Sequence, residues 1–257
     1  FPYTTLFRSL PLTRLQVQQL TLTDHGPSST ATPLTNGALP LQVDLTWQVQ
    51  QLQWIGVSTV QLSNLQGHYR YDGRTHALQL QRLDIAQGRY QGQATLQAAA
   101  PMALDVQLQG EITAPVPGSH PSWTVQAQSQ LQGTLAGPSA QLQLQARLQP
   151  AQAMTSSMQL QLDATLHPWQ AQAISALQLQ ATQVDLASLW PSAPHTQLSG
   201  QVQATPQAQR WQLQGALTNA LPGPWDRHRI PLQRVSLDID KEGSNWLIHE
   251  IGRASSR

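Results

Sequence analysis

The 257 residues of this chain are enough for one large domain or for an array of small units. Only 11% are charged and the net charge is +1, against roughly 25% charged in an ordinary soluble domain; no Arg cluster interleaves with aromatics, so nucleic acid is not an expected partner. There is no Cys, which excludes a disulfide framework and thiolate metal sites and is compatible with an oxidising compartment.

The first nine residues, Phe1-Pro2-Tyr3-Thr4-Thr5-Leu6-Phe7-Arg8-Ser9, contain both Phe residues of the chain. They resemble the conceptual translation of a sequencing-adapter read. The tail Glu250-Ile251-Gly252-Arg253-Ala254-Ser255-Ser256-Arg257 is similar to the translated reverse complement, with Ser256 where Cys is expected. Residues 1–9 and 249–257 are therefore expected to be assembly artefacts and are left out of fold reasoning. Residues 10–248 are expected to be an internal piece of a longer gene. No apolar run in them reaches the roughly 18 residues of a membrane-spanning helix.

From Leu41 onward the dominant signal is a beat of two. Leu41, Val43, Leu45, Trp47 and Val49 share one parity, and Leu52 and Trp54 take the other. Alternation of this kind builds strands with one apolar and one polar face, and a parity change marks a bulge or a turn. Asp72-Gly73 is the best hairpin cue, with a return strand through Leu78 and Leu80. Leu83 and Ile85 follow, then a turn at Gln87-Gly88 and a strand from Tyr90 to Leu96.

The next strands are expected at Leu104 to Leu108, Val125 to Leu131 and Leu142 to Leu148. Others follow at Met158 to Leu166, Leu177 to Ala181, Leu198 to Ala204, Trp211 to Gly215 and Val235 to Ile239. The beat is plainest at Gln141-Leu142-Gln143-Leu144-Gln145. Gln fills outward positions that Lys and Glu usually take; with one Lys, Lys241, among 14 basic residues, GC-rich coding bias accounts for that choice. Breakers such as Pro115-Val116-Pro117-Gly118 and Leu221-Pro222-Gly223-Pro224 separate the strands. One short helix is expected at Asp185–Trp190, with Asp185 as its N-cap and Pro191 as its stop.

The sum is an all-β chain of roughly fourteen to eighteen strands with little helix. Open sheets rarely exceed about ten strands without curling, so the expected form is an elongated, curled antiparallel sheet with an apolar interior, an open groove.

Catalytic signatures are missing: no Gly-x-Ser-x-Gly, no phosphate-cradling Gly loop and no His-Glu-x-x-His. His68 and His76 flank the Asp72-Gly73 hairpin and are the best pair for a metal, but read more simply as surface hairpin residues. Asp238-Ile239-Asp240-Lys241-Glu242-Gly243 starts like a calcium loop, yet its twelfth position is His249, not Glu; a strand running into a Gly turn explains it better. Trp225-Asp226-Arg227-His228-Arg229 is the densest charged patch and, without a nucleophile, reads as a polar loop. No enzyme, metal or cofactor is expected.

Several runs resemble the TamB proteins of the AsmA-like group. They are Gly67-His68-Tyr69-Arg70-Tyr71-Asp72-Gly73 leading to His76-Ala77-Leu78-Gln79-Leu80, then Gly88-Arg89-Tyr90-Gln91-Gly92-Gln93-Ala94. Val184-Asp185-Leu186-Ala187-Ser188-Leu189-Trp190-Pro191 running to Leu198-Ser199-Gly200 belongs with them, as does Leu217 to Asp226. The likeness spans residues 10–248 and is one of cadence. It implies a β-taco, a sheet folded lengthwise around an apolar groove, in a protein of the translocation and assembly module that crosses the periplasm of a Gram-negative bacterium. It also implies inner-membrane anchoring through an N-terminal helix, docking to a TamA-like outer-membrane protein through a C-terminal domain, and phospholipid transport that supports outer-membrane biogenesis. Neither the helix nor the docking domain is among these residues.

Phospholipid acyl chains are accordingly the expected cargo. The candidate lining residues are Leu104, Val106, Leu108, Leu142, Leu144, Leu148, Met158, Leu160, Leu162, Leu177 and Leu179, with a dry core as the other reading. A β-solenoid adhesin or autotransporter passenger, which needs parallel coils, and an outer-membrane β protein, which needs aromatic girdles, are the alternatives.

Overall fold

The computed structural model describes residues 13–23, 32–56, 59–85, 88–114, 123–151, 158–170, 172–188, 193–207, 210–242 and 245–253. The N-terminal adapter-like segment and the Gln87 half of the expected turn lie outside them. Fourteen strands are described. They are β1 (Arg14–Thr23), β2 (Val43–Ile55), β3 (Thr59–Tyr71), β4 (Thr75–Ile85), β5 (Gly88–Gln97), β6 (Ala103–Ala114) and β7 (Trp123–Thr134), followed by β8 (Leu142–Pro150), β9 (Gln159–Leu166), β10 (Ile174–Val184), β11 (Leu198–Gln207), β12 (Arg210–Asn219), β13 (Arg234–Glu242) and β14 (Asn245–Arg253). They make one sheet in chain order, with β1 and β14 at its two ends and no pairing that closes it. The all-β expectation holds, and the only helical elements among the described residues are 3-10 turns at Leu186–Ser188 and Trp225–Arg227. β14 includes Glu250–Arg253 of the tail, paired in part to β13.

The chain divides into two compact units, residues 1–110 with 130–142 and 167–171, and residues 111–129 with 143–166 and 172–257. In the first unit β2 through β5 pair antiparallel, but β1 runs parallel to β2, a departure from the expected antiparallel order. A parallel neighbour needs a long crossover, here the stretch between Thr23 and Val43.

The parity change after Val49 is not a turn. β2 runs through it, and Asn64 of β3 takes a left-handed φ of 53° beside it, a conformation Asn tolerates better than most residues. The register from Val49↔Leu65 to Leu52↔Leu62 is kept across the irregularity. Asn64 Nδ2 donates to Asp84 Oδ2 at 2.7 Å, and Arg82 Nη2 to the same oxygen at 2.7 Å.

At the hairpin, Gly73 has φ 98° and Asp72 Oδ1 accepts the amides of Arg74 and Thr75, both at 2.8 Å. The expected return strand through Leu78 and Leu80 is β4. In the second unit β9 through β14 pair antiparallel as consecutive neighbours. Asp185 precedes a 3-10 turn at Leu186–Ser188, the part of the expected helix that is described; its Oδ1 accepts the amides of Ala187 and Thr196 at 3.1 and 2.9 Å. Trp190 and Pro191 lie outside the described residues.

Candidate functional site: half-buried apolar rows

Register partners in a sheet share a face, so the pairings identify which side chains form a surface together. In the second unit one row reads Ala164, Leu177, Ala204, Leu213 and Ile239 across β9 to β13. The next reads Leu162, Leu179, Val202 and Gly215, and a third Leu160, Ala181, Gly200, Leu217 and Val235. Ala164, Ala181 and Ala204 are buried, and the Gly, Leu, Val and Ile members stay half-buried. Four of the expected lining residues, Leu160, Leu162, Leu177 and Leu179, are thereby brought onto one face.

Many polar positions between them behave differently, although Gln161 on β9 and Asp238 and Asp240 on β13 are half-buried like the apolar members. Gln178, Gln180, Gln201, Gln203 and Gln214 are exposed. Where the other face is wet, amides bond across strands: in the first unit Gln93 to Gln107 at 3.1 Å and Gln132 to Asp105 at 2.7 Å, in the second Thr165 to Gln143 at 3.0 Å. Gln is thus both solvent-facing and part of a side-chain ladder, which the charge shortage alone did not reveal.

The other candidates sort by depth. Leu104, Val106 and Leu108 on β6 and Leu144 and Leu148 on β8 are half-buried at alternate positions. Leu142 and Met158 are different, only 6% and 3% exposed. They belong to packed regions at strand starts: Met158 joins Val184 and Ala181, with Leu160, Leu186, Leu198 and Leu217 against them. For these two, buried where the other candidates are half-buried, the dry-core reading describes the structure better than an open lining.

The first unit has its own rows. Leu15, Trp47, Gly67, Leu80 and Gly92 align across β1 to β5, and Leu45, Tyr69, Leu78 and Ala94 across β2 to β5. Trp47 lies over Gly67: a Cβ there would come within 2.6 Å of the indole Cζ2. The last row, Val43, Tyr71, His76 and Leu96, meets a strap formed by residues 34–42. Gly37 N–H donates to Ala98 O at 2.8 Å, Gly137 N–H to Leu34 O at 2.8 Å, and Gln42 Nε2 to Asp72 O at 2.9 Å. His76 ties the strap down. Its Nε2 donates to Gly37 O at 2.9 Å, which in the neutral ring leaves Nδ1 to accept the Tyr69 hydroxyl at 2.6 Å. The ring stacks on Tyr71 with centroids 4.4 Å apart. Burial, with Tyr71 adding to it, pushes the Tyr69 phenol up; burial does the same at Tyr90.

These contacts correct the histidine expectation. His76 is a half-buried anchor and not a surface hairpin residue, while His68 meets Asp44 Oδ1 at 3.0 Å. Tyr71 pairs with His76 and Gln79 with His68, so the two His project to opposite faces and do not converge. No group of three metal-ligating side chains occurs among the described residues. Asp238 to Glu242 is strand β13; Gly243 lies outside the described residues. Trp225, Asp226, Arg227 and His228 are exposed on a loop with a 3-10 turn, and Arg229 is half-buried. No helix among the described residues is long and apolar enough to cross a membrane.

Reasoning on the cleanest strands missed Val202, Leu213 and Leu217, whose alternation is broken by Gly and Ala, and Val235 and Ile239, which alternate with Ser and Asp instead of Gln. Before Leu41 the strap had no periodic signal. Comparison with family models, with curated proteins and with solved structures returned no match.

Proposed function

We propose that the apolar rows bind phospholipid acyl chains and that the chain is part of a TamB-like bridge moving lipid between the two membranes of a Gram-negative envelope. The observation that carries this reading is the partial burial of the rows. In β10 to β12 the Leu and Val members Leu177, Leu179, Val202, Leu213 and Leu217 remain half-buried while Gln178, Gln180, Gln201, Gln203 and Gln214 between them are exposed. A dry core would seal such side chains; a surface that receives acyl chains leaves them accessible until cargo arrives. Each methylene removed from water contributes about 0.8 kcal/mol, and rows of similar side chains offer many near-equal positions instead of one deep trap.

The periplasmic setting, the TamA-like partner and the inner-membrane anchor come with the resemblance and are parts of the same proposal. No catalytic step is assigned. The antiparallel pairing of consecutive strands counts against a solenoid built of parallel coils.

The test is in-cell photocrosslinking with a benzophenone amino acid at Leu160 or Leu144, and at exposed Gln180 as the outward control. Lipid adducts at the Leu positions and none at Gln180 are expected. Absence of lipid at both Leu positions, or equal capture at Gln180, overturns the reading.

A further inference from the structure

The loop after β12 combines a rigid backbone with an exposed indole and unpaired cations. Leu221-Pro222-Gly223-Pro224 leads into the Trp225–Arg227 turn, which His228 ends in a left-handed conformation with φ 54°. The backbone closes on itself: Gly223 N–H donates to Ile230 O at 3.0 Å, Arg227 N–H to Pro224 O at 3.1 Å and His228 N–H to Trp225 O at 3.0 Å. It is also tied to the neighbouring loop, where His195 N–H donates to His228 O at 2.7 Å. At its base Asn219 Oδ1 accepts the amides of Leu221 and Gln197.

On this frame Trp225 is 64% exposed, more than any other large hydrophobic residue described. Arg227 and Arg234 are exposed and Arg229 half-buried. None of the three forms an ion pair among the described residues. Asp226 is the single acid of the loop, and Asp185, carried close by the adjoining loop, is engaged by His195 Nδ1 at 3.1 Å.

We infer that this tip docks on an anionic phospholipid surface, the indole entering the headgroup region and the guanidinium groups meeting lipid phosphates. An indole has an apolar body and one N–H, which suits the bilayer interface, and guanidinium matches phosphate oxygens in a forked geometry. Charged headgroups suit the surroundings better than an apolar protein interface: Pro222 and Pro224 are exposed before Trp225, but Asp226, Arg227 and His228, which follow it, are all exposed and polar. Because the loop is already closed by its own hydrogen bonds, insertion orders little additional backbone. The inference stands on the loop alone and is independent of the apolar rows.

The test is flotation of the whole chain with vesicles of phosphatidylethanolamine and phosphatidylglycerol at 7:3, compared with phosphatidylcholine vesicles, at low and high salt. Preferential binding to the anionic vesicles, weakened by salt, is expected. Arg227→Gln should lower the affinity roughly fivefold, and Trp225→Ala should lower it several-fold; both positions are exposed, so strand content by circular dichroism should be unchanged. Failure of the chain to bind anionic vesicles, equal binding to phosphatidylcholine, or unaltered binding by both variants overturns the inference. Loss of binding in a Leu160→Asp variant with the tip intact would also overturn it, because the rows and not the loop would then hold the membrane.

Discussion

Single residues secure the places where the two-residue beat stops. Asn219 is 2% exposed and its Oδ1 satisfies two backbone amides at the base of the tip. Asn219→Ala leaves both amides without that acceptor, and a loss of about 1–3 kcal/mol is expected from urea unfolding. Gly67 is needed for a different reason: Trp47 occupies the space a side chain would fill. Gly67→Val should destabilise the first unit by about 1–3 kcal/mol through overpacking, whereas Gln79→Val, at an exposed position, should change stability by no more than about 0.5 kcal/mol. Asp72 was legible as a hairpin residue because its role is local, two and three residues away. Asn219 was not legible, because the amide of Gln197 that it accepts lies 22 residues away.

Among the elements, the bulge at Asn64 and the strap at residues 34–42 carry the most. Asn64 holds a left-handed φ where the apolar parity of β2 and β3 changes. Asn64→Gly should be tolerated, while Asn64→Val should cost on the order of 1–2 kcal/mol of backbone strain, read by thermal unfolding. The strap depends on His76 holding Gly37 O from 39 residues away. His76→Phe keeps the stack on Tyr71 but removes the donor. Hydrogen exchange at the Gly37 amide, which is bonded to Ala98 O, should then speed up while amides inside β4 and β5 keep their protection. Unchanged exchange at Gly37 would show that the strap is held by its other bonds.

For the molecule as a whole, pH dependence follows from groups at two ends of the scale. The amides of Thr75 and Arg74 hold Asp72 below the usual carboxylate range, and Arg82, then Asn64, do so for Asp84. A lowered carboxylate stabilises the fold above its unfolded value, and that contribution fades as pH falls through the folded value. Tyr69 and Tyr90 are raised by burial, so their contribution is complete below the ordinary phenol value and fades as pH rises past it. These groups should therefore make the melting temperature decline below about pH 4 and above about pH 10. Replacing Asp84 with Asn should flatten the acid limb; an unchanged acid limb would show that this carboxylate does not contribute to it.

The amino-acid sequence by itself determined the class of fold and most of the strands between β2 and β13, with the alternation of side chains within each, but neither β1 nor β14. These follow from the period of the extended backbone, which is local: Leu142-Gln143-Leu144 alternates whatever its neighbours do. Only the tertiary structure decided the parallel pairing of β1 with β2, the left-handed bulge at Asn64, the split between half-buried Leu160 and buried Met158, and the separation of His68 from His76 onto opposite faces. Each depends on hydrogen bonds and packing between segments distant along the chain, as in the 39-residue link from His76 to Gly37, and a local period carries no information about which distant segment arrives.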